Sequence, residues 1–177
     1  MKMPDRLDAP SKNKLTSFIK RKGEYLGSGC ERAAYDYKGK VYKVPYESNE
    51  QGYFEQDIME MLPERFKTFF PNPKFYGRIC EMDYVTVARE AEWNNEIEER
   101  CQKMSESINM NFEYGLYEFV YLHGVKLDVD LFEELLDWMV DQGGAVDDIL
   151  DNDGNYGYDP TTMELKIVDW GWSSSYW

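Results

Sequence analysis

Residues 24–46 read EYLGSGCERAAYDYKGKVYKVPY. Aromatics and valines come in short runs, broken by Gly27-Ser28-Gly29 and by Lys38-Gly39. Such runs form strands, and such breaks form tight turns. Strands joined this closely pair antiparallel, because a parallel pair needs a crossover of a dozen residues or more. An antiparallel sheet early in the chain is therefore the first constraint on the fold.

The flanks add helices. Leu15, Phe18 and Ile19 mark a short basic amphipathic helix that ends at Gly23, after a flexible arm over residues 1–13. Phe54, Ile58, Met61 and Leu62 mark a second helix, limited by Pro63. Beyond Pro71 and Pro73, Lys74–Gly77 and Tyr84–Arg89 read as two more strands. In the second half, Ile97, Cys101, Met104 and Ile108 share one helical face, and so do Leu131, Leu135, Trp138 and Met139. Asp130 with Glu133 resembles a capping box, and Gly143-Gly144 supplies a stop. Two strands follow, Asn155–Tyr158 and Leu165–Asp169, with Asp159-Pro160-Thr161-Thr162 as their turn.

Composition narrows the setting. No apolar run approaches the roughly 20 residues that span a bilayer. MKMPDRLDAPSKNK lacks the apolar middle of a secretory signal. The three cysteines are few, odd in number and far apart, which disfavours a disulfide framework or a zinc knuckle and favours a reducing cytoplasm. Residues 1–22 hold seven Lys/Arg against two Asp/Glu. From residue 81 onward, five Lys/Arg face 23 Asp/Glu, a balance of −18. That half would repel a nucleic-acid backbone, so direct nucleic-acid binding is not expected. The acidic excess serves solubility, or it docks on a basic partner.

Four stretches carry chemistry. Gly27-Ser28-Gly29 lies between two strands, where glycine lets backbone N–H groups approach anionic oxygens. The same residues also make an ordinary hairpin, and a strand rather than a helix follows, against a dinucleotide fold. Lys43 sits within the apolar strand Val41-Tyr42-Lys43-Val44. It is either an edge charge facing water or a cation held over phosphates and braced by a helix carboxylate. Glu50, Glu55 and Glu60 are the available braces, and Glu55 is the best placed. Asp151-Asn152-Asp153-Gly154-Asn155 begins like a calcium loop, but Tyr156 and Thr162 occupy the glycine and last-ligand positions, and an Asx-rich turn is the other alternative. Asp169 ends the last strand facing Asn155, an arrangement that holds Mg²⁺ with few protein ligands.

In this order, the series resembles the protein kinase-like family, in particular small bacterial and bacteriophage kinase-like proteins. LGSGCERAAYDY resembles the glycine-rich loop, with Arg32 and Ala34 where a third glycine and a valine are usual. VYKV resembles the ATP-lysine strand, and VAREAEW the hinge, which contains Glu90. GNYGYDPTTMELKIVDWG resembles the catalytic-loop asparagine, hairpin and metal-binding Asp-aromatic-Gly. The likeness spans residues 24–171 and is weakest in the middle.

The resemblance implies an α+β, two-lobed fold. An arm and basic helix (1–23) would precede an N-lobe of antiparallel sheet and one helix (24–93). A shortened, mainly helical C-lobe (94–177) would follow, since only six residues come after Gly171. It implies ATP and Mg²⁺ as cofactors and a protein hydroxyl as acceptor. Gly27, Ser28, Gly29, Lys43, Glu55 and Glu90 would bind the nucleotide. Asn155 and Asp169 would hold the metal. Asp151 would be the base, four residues before Asn155 where the family has five, and without the usual preceding His or Arg. The lone His123 lies far upstream and reads as structural. Two rivals stand beside the kinase: a pseudokinase or interaction module that inhibits a partner protein, and an acidic nucleic-acid mimic on an unrelated fold.

Overall fold

The computed structural model describes residues 9–29, 32–46, 52–106, 115–143 and 146–170. It is an α+β protein with a five-stranded antiparallel sheet, a smaller three-stranded sheet and six α-helices among these residues. The chain divides into two compact units. Unit 1 comprises residues 1–67 and 71–84, and unit 2 comprises residues 68–70 and 85–177.

Unit 1 is built on β1 (Glu24–Ser28), β2 (Arg32–Asp36), β3 (Lys40–Pro45), β4 (Lys74–Tyr76) and β5 (Ile79–Asp83), in the order β1-β2-β3-β5-β4. Lys38 and Gly39 both take positive φ, 59° and 73°, between β2 and β3. Two such residues make the tight turn whose twist matches the strands. The Tyr37 N–H donates to the Lys40 carbonyl at 2.9 Å to close it. Register then fixes the faces. Tyr35 lies opposite Tyr42 and Ala34 opposite Lys43, so Tyr42 and Val44 point one way and Lys43 the other.

Helix α1 (Ala9–Lys22) covers the first face, where Leu15 and Ile19 pack with Tyr42, Val44, Tyr76 and Ile79. Complete burial of a side chain such as Ile19 contributes about 1.5–3 kcal/mol. The helix starts at Ala9, so residues 9–13 are helical and not part of a flexible arm; residues 1–8 lie outside the described residues. Helix α2 (Gly52–Met61) presents Glu55 and Ile58, with Leu62 just beyond its end, at i, i+3 and i+7, and all three are buried. Met61 is on the other side and is 55% exposed, contrary to its place in the expected apolar stripe. Of the strand expected at Tyr84–Arg89 only Thr86–Val87 is extended, and a strand that was not expected precedes it. Gly77, at a φ of 64°, closes a tight turn after β4, and the return strand is Ile79–Asp83.

Unit 2 contains β6 (Thr86–Val87), a 3₁₀ turn at Ala88–Glu90, α3 (Asn95–Glu106), α4 (Gly115–His123), α5 (Val129–Asp141), α6 (Val146–Asp151), β7 (Tyr156–Tyr158) and β8 (Leu165–Ile167). The three strands pair antiparallel as β6-β7-β8. The Asn94 side chain caps α3 by accepting from the Glu96 and Ile97 N–H groups. Asp128, not Asp130, caps α5: its Oδ1 accepts from the Leu131 N–H at 3.1 Å. That start turns Phe132, Leu135 and Met139 into the core and leaves Leu131 and Trp138 half-buried. Phe69 and Tyr117 meet Phe132 edge-on, and Phe119 stacks near Tyr156 and Tyr158. Cys101 is half-buried on α3; the Met104 side chain and Ile108 lie outside the described residues. Among the described residues, no helix is long and apolar enough to cross a membrane.

Candidate functional site

In unit 1, strand register sets the chemistry. Lys43 emerges from β3 on the face opposite α1, and Arg32, two residues before Ala34 on β2, shares that face. Both are largely buried, at 9% and 8% exposure. Glu55 of α2 is completely buried and meets both. The Arg32 guanidinium takes the two carboxylate oxygens together, Nη2 to Oε1 at 2.7 Å and Nη1 to Oε2. Lys43 Nζ lies 3.6 Å from the same Oε1. Glu55 is therefore the carboxylate that faces Lys43, as its place on the helix predicted. Glu60 is exposed and accepts a hydrogen bond from Gln56 instead, and Glu50 lies outside the described residues.

The glycine hairpin stands at the end of β1. Gly27 pairs with Ala34 and Ser28 with Ala33, after an irregularity between Tyr25 and Gly27. The Gly29 N–H donates to the Arg32 carbonyl at 3.0 Å. A Cβ at Gly27 or Gly29 would meet nothing within 4 Å, so packing against described atoms of this chain does not require glycine at either place. Ser28 Oγ accepts from the Tyr25 hydroxyl at 2.8 Å. On the α1 face, burial first and the Glu81 carboxylate second push the Tyr42 phenol well above its ordinary value.

In unit 2, the backbone does the placing. The β7–β8 ladder runs from Tyr158 and Leu165 to Tyr156 and Ile167. One step further, the Asn155 carbonyl accepts from two N–H groups, Val168 at 2.8 Å and Asp169 at 3.2 Å. Asn155 and Asp169 are thus fixed side by side. Asn155 is buried and its own N–H donates to the Asn152 carbonyl at 2.8 Å. Asp169 is half-buried. Trp170 anchors the corner, almost fully buried and edge-on to Phe70 at 4.9 Å. Gly171 lies outside the described residues.

Asp151 is the exposed last residue of α6. It shares its surroundings with Tyr156, whose phenol is pushed up to about 12 by burial and then by the negative charges of Asp153, Asp151 and Glu118. Glu90 is exposed on the 3₁₀ turn. Its neighbour Arg89 holds the loop: the Arg89 N–H donates to the Asp153 carbonyl at 3.2 Å. A Cβ on Gly154 would fall 2.6 Å from Arg89 Cζ, so the guanidinium lies over this glycine and a larger residue would displace it. Arg89 reaches this loop from more than sixty residues away, and no local sequence signal marks it.

Among the described residues, no three His, Cys, Asp or Glu side chains come together as a metal-holding group. The Asn155 side-chain amide oxygen and the Asp169 carboxylate are hard oxygen groups, the donor chemistry that suits Mg²⁺ bound through few protein ligands. A cavity of about 310 Å³ in unit 2, between Phe69, Lys126, Asp128 and Glu164, is lined by none of the candidate residues. His123 ends α4 beside the Phe119 ring at 4.7 Å; burial and then the Arg100 charge hold it below the usual histidine range. No protein-family model, no curated protein and no solved structure matches this chain.

Proposed function

We propose that this chain is a minimal protein kinase-like phosphotransferase, using Mg·ATP to phosphorylate a protein hydroxyl. The observation that carries the reading is the buried ion pair of strand and helix: Lys43 of β3 stands 3.6 Å from Glu55 of α2. A lysine braced by a helix carboxylate is the arrangement that holds α- and β-phosphates in such enzymes. Further support comes from element order. A Gly-Ser-Gly hairpin, a lysine strand, an acidic helix, two strands, helices and the Asn155–Asp169 corner follow one another along the chain.

In this reading the backbone of Gly27, Ser28 and Gly29 and the Lys43 ammonium bind phosphate oxygens, and Glu90 belongs to the segment that receives the base. Asn155 and Asp169 hold the metal, which neutralises charge on the phosphates. Asp151 orients the acceptor and takes its proton. The acceptor oxygen bonds to the γ-phosphorus, the bond to the β–γ bridging oxygen breaks, and ADP leaves. Such transfer depends on positioning and charge more than on covalent help from the protein. The acidic excess after residue 80 provides long-range attraction for a protein target with a basic surface, in a cytoplasmic setting consistent with the cysteine usage.

A second reading, a kinase-like module that binds its target without transfer, is favoured by Asp151. It is exposed, ends a helix, and stands four rather than five residues before Asn155. Incubation of the protein with labelled Mg·ATP and lysate proteins separates the two. Label on a protein, lost in Asp169→Ala, supports the kinase. Mg·ATP binding without label on any protein supports the module.

A further inference from the structure

We propose that Arg89 is the positioning residue of the loop that carries Asp151: it clasps the turn at residues 152–155 and so fixes the direction in which the candidate base is presented. This rests on the reading of Asp151 as the base. Asn152, Asp153, Gly154 and Asn155 form a four-residue turn, in which the Asn155 N–H donates to the Asn152 carbonyl at 2.8 Å. The Asn152 side chain adds a second tie, accepting from the Gly154 N–H at 3.0 Å. Arg89 meets both central residues of this turn. Its backbone N–H donates to the Asp153 carbonyl at 3.2 Å, and its guanidinium lies over Gly154. The register of β6 brings it there: Thr86 stands opposite Tyr158 and Val87 opposite Gly157, and the same course continued reaches residues 89 and 155.

The two ends of the loop are held by different means. Asn155 is buried and its carbonyl accepts from the Val168 and Asp169 N–H groups, so the hairpin fixes that end. Asp151 is exposed at the end of α6, and the turn that Arg89 clasps follows it directly. Charge adds a reason for an arginine here. The loop holds Asp151 and Asp153 and no basic residue of its own. Two negative charges so close in the chain repel, and a cation brought over Gly154 offsets that repulsion. Loosening the clasp therefore acts on the base more than on the Asn155–Asp169 corner. It slows transfer more than it weakens nucleotide binding.

The test uses the full chain as wild type, Arg89→Ala, Arg89→Lys, Gly154→Ala and the Arg89→Ala/Gly154→Ala double variant. Hydrogen exchange at the Gly154 and Asn155 amides reads the turn. The rate of label transfer from Mg·ATP to lysate proteins, as ATP is varied, reads turnover and KM. Arg89→Ala keeps the backbone N–H and loses the guanidinium. Gly154→Ala keeps the guanidinium and displaces it. In either variant, exchange at the two amides is expected to rise about tenfold. Turnover is expected to fall about 10–100-fold, with KM for ATP within about threefold of wild type. The double variant should lose no more than either single one, since both remove the same contact. Arg89→Lys should recover part of the turnover. If Arg89→Ala does not fold, Gly154→Ala carries both readouts. Exchange within about twofold of wild type overturns the proposal, and so does unchanged turnover while the amides exchange faster. If the wild type transfers no label, the kinase reading fails, and exchange alone decides whether Arg89 holds the turn.

Discussion

Glu55 in unit 1 and Asp169 in unit 2 are both candidate working carboxylates, and the protein places them by different means. Glu55 is completely buried and held by side chains: Arg32 grips both of its oxygens and Lys43 stands 3.6 Å away. Asp169 is half-buried and held by its backbone, whose N–H donates to the Asn155 carbonyl next to the last rung of a hairpin. Charge placed by charge is costly to change, because each partner was desolvated for the sake of the other.

The strongest way to break this contrast is to neutralise each carboxylate. Glu55→Gln leaves two largely buried cations without the carboxylate between them and should cost about 3–5 kcal/mol of stability. Asp169 is less buried than Glu55, so Asp169→Asn should cost less, about 1–2 kcal/mol. Urea unfolding of both variants measures the difference. Equal costs would mean that Asp169, too, is a structural ion-pair member.

Glycines sharpen the contrast at smaller scale. A Cβ at Gly157 would lie 2.8 Å from Val87 Cα, where β6 meets β7, so Gly157→Ala should cost about 1–3 kcal/mol through overpacking. Gly27 has open space around it. Gly27→Ala should leave stability within about 0.5 kcal/mol of wild type, yet weaken Mg·ATP binding if phosphates approach that backbone. Thermal unfolding and calorimetry on the two variants read these effects separately.

The smallest expected effect concerns pH. Burial and Arg100 hold folded His123 below its ordinary value. The unfolded chain therefore binds the proton more readily. The stability from neutral His123 is present above about pH 6.5 and is lost as pH falls toward the depressed folded value. His123→Asn should flatten that part of the stability–pH curve. A curve unchanged by the substitution would assign the acid sensitivity to other groups.

How much of this was legible in the sequence depends on how local each determinant is. The Lys38-Gly39 turn and the hairpin at Asp159 were readable because a few adjacent residues decide them. Lys43 with Glu55 was readable because a strand pattern and a helix pattern each fix a facing direction. Arg32 was visible only as a departure from a glycine-rich loop; its role depends on a helix that begins twenty residues later. The strand at Thr86–Val87 was readable but its partner was not, because it pairs with β7, some seventy residues away, and no window on the sequence contains both. At α5, Asp128 and Asp130 are both acceptable caps locally. Burial of Phe132, Leu135 and Met139 decides between them. Arg89 over Gly154 had no local signal at all.

The central proposal is that the chain binds Mg·ATP and that Lys43 and Asp169 are each required for it. Calorimetric titration of ATP into wild type, Lys43→Met, Asp169→Ala and Asp151→Ala proteins, each with and without Mg²⁺, tests it most directly. The account predicts Mg²⁺-dependent binding by the wild type, lost in Lys43→Met and Asp169→Ala and retained in Asp151→Ala, since Asp151 acts on the acceptor rather than on the nucleotide. No heat of binding in the wild type, or binding indifferent to Mg²⁺ and to Asp169→Ala, would contradict it.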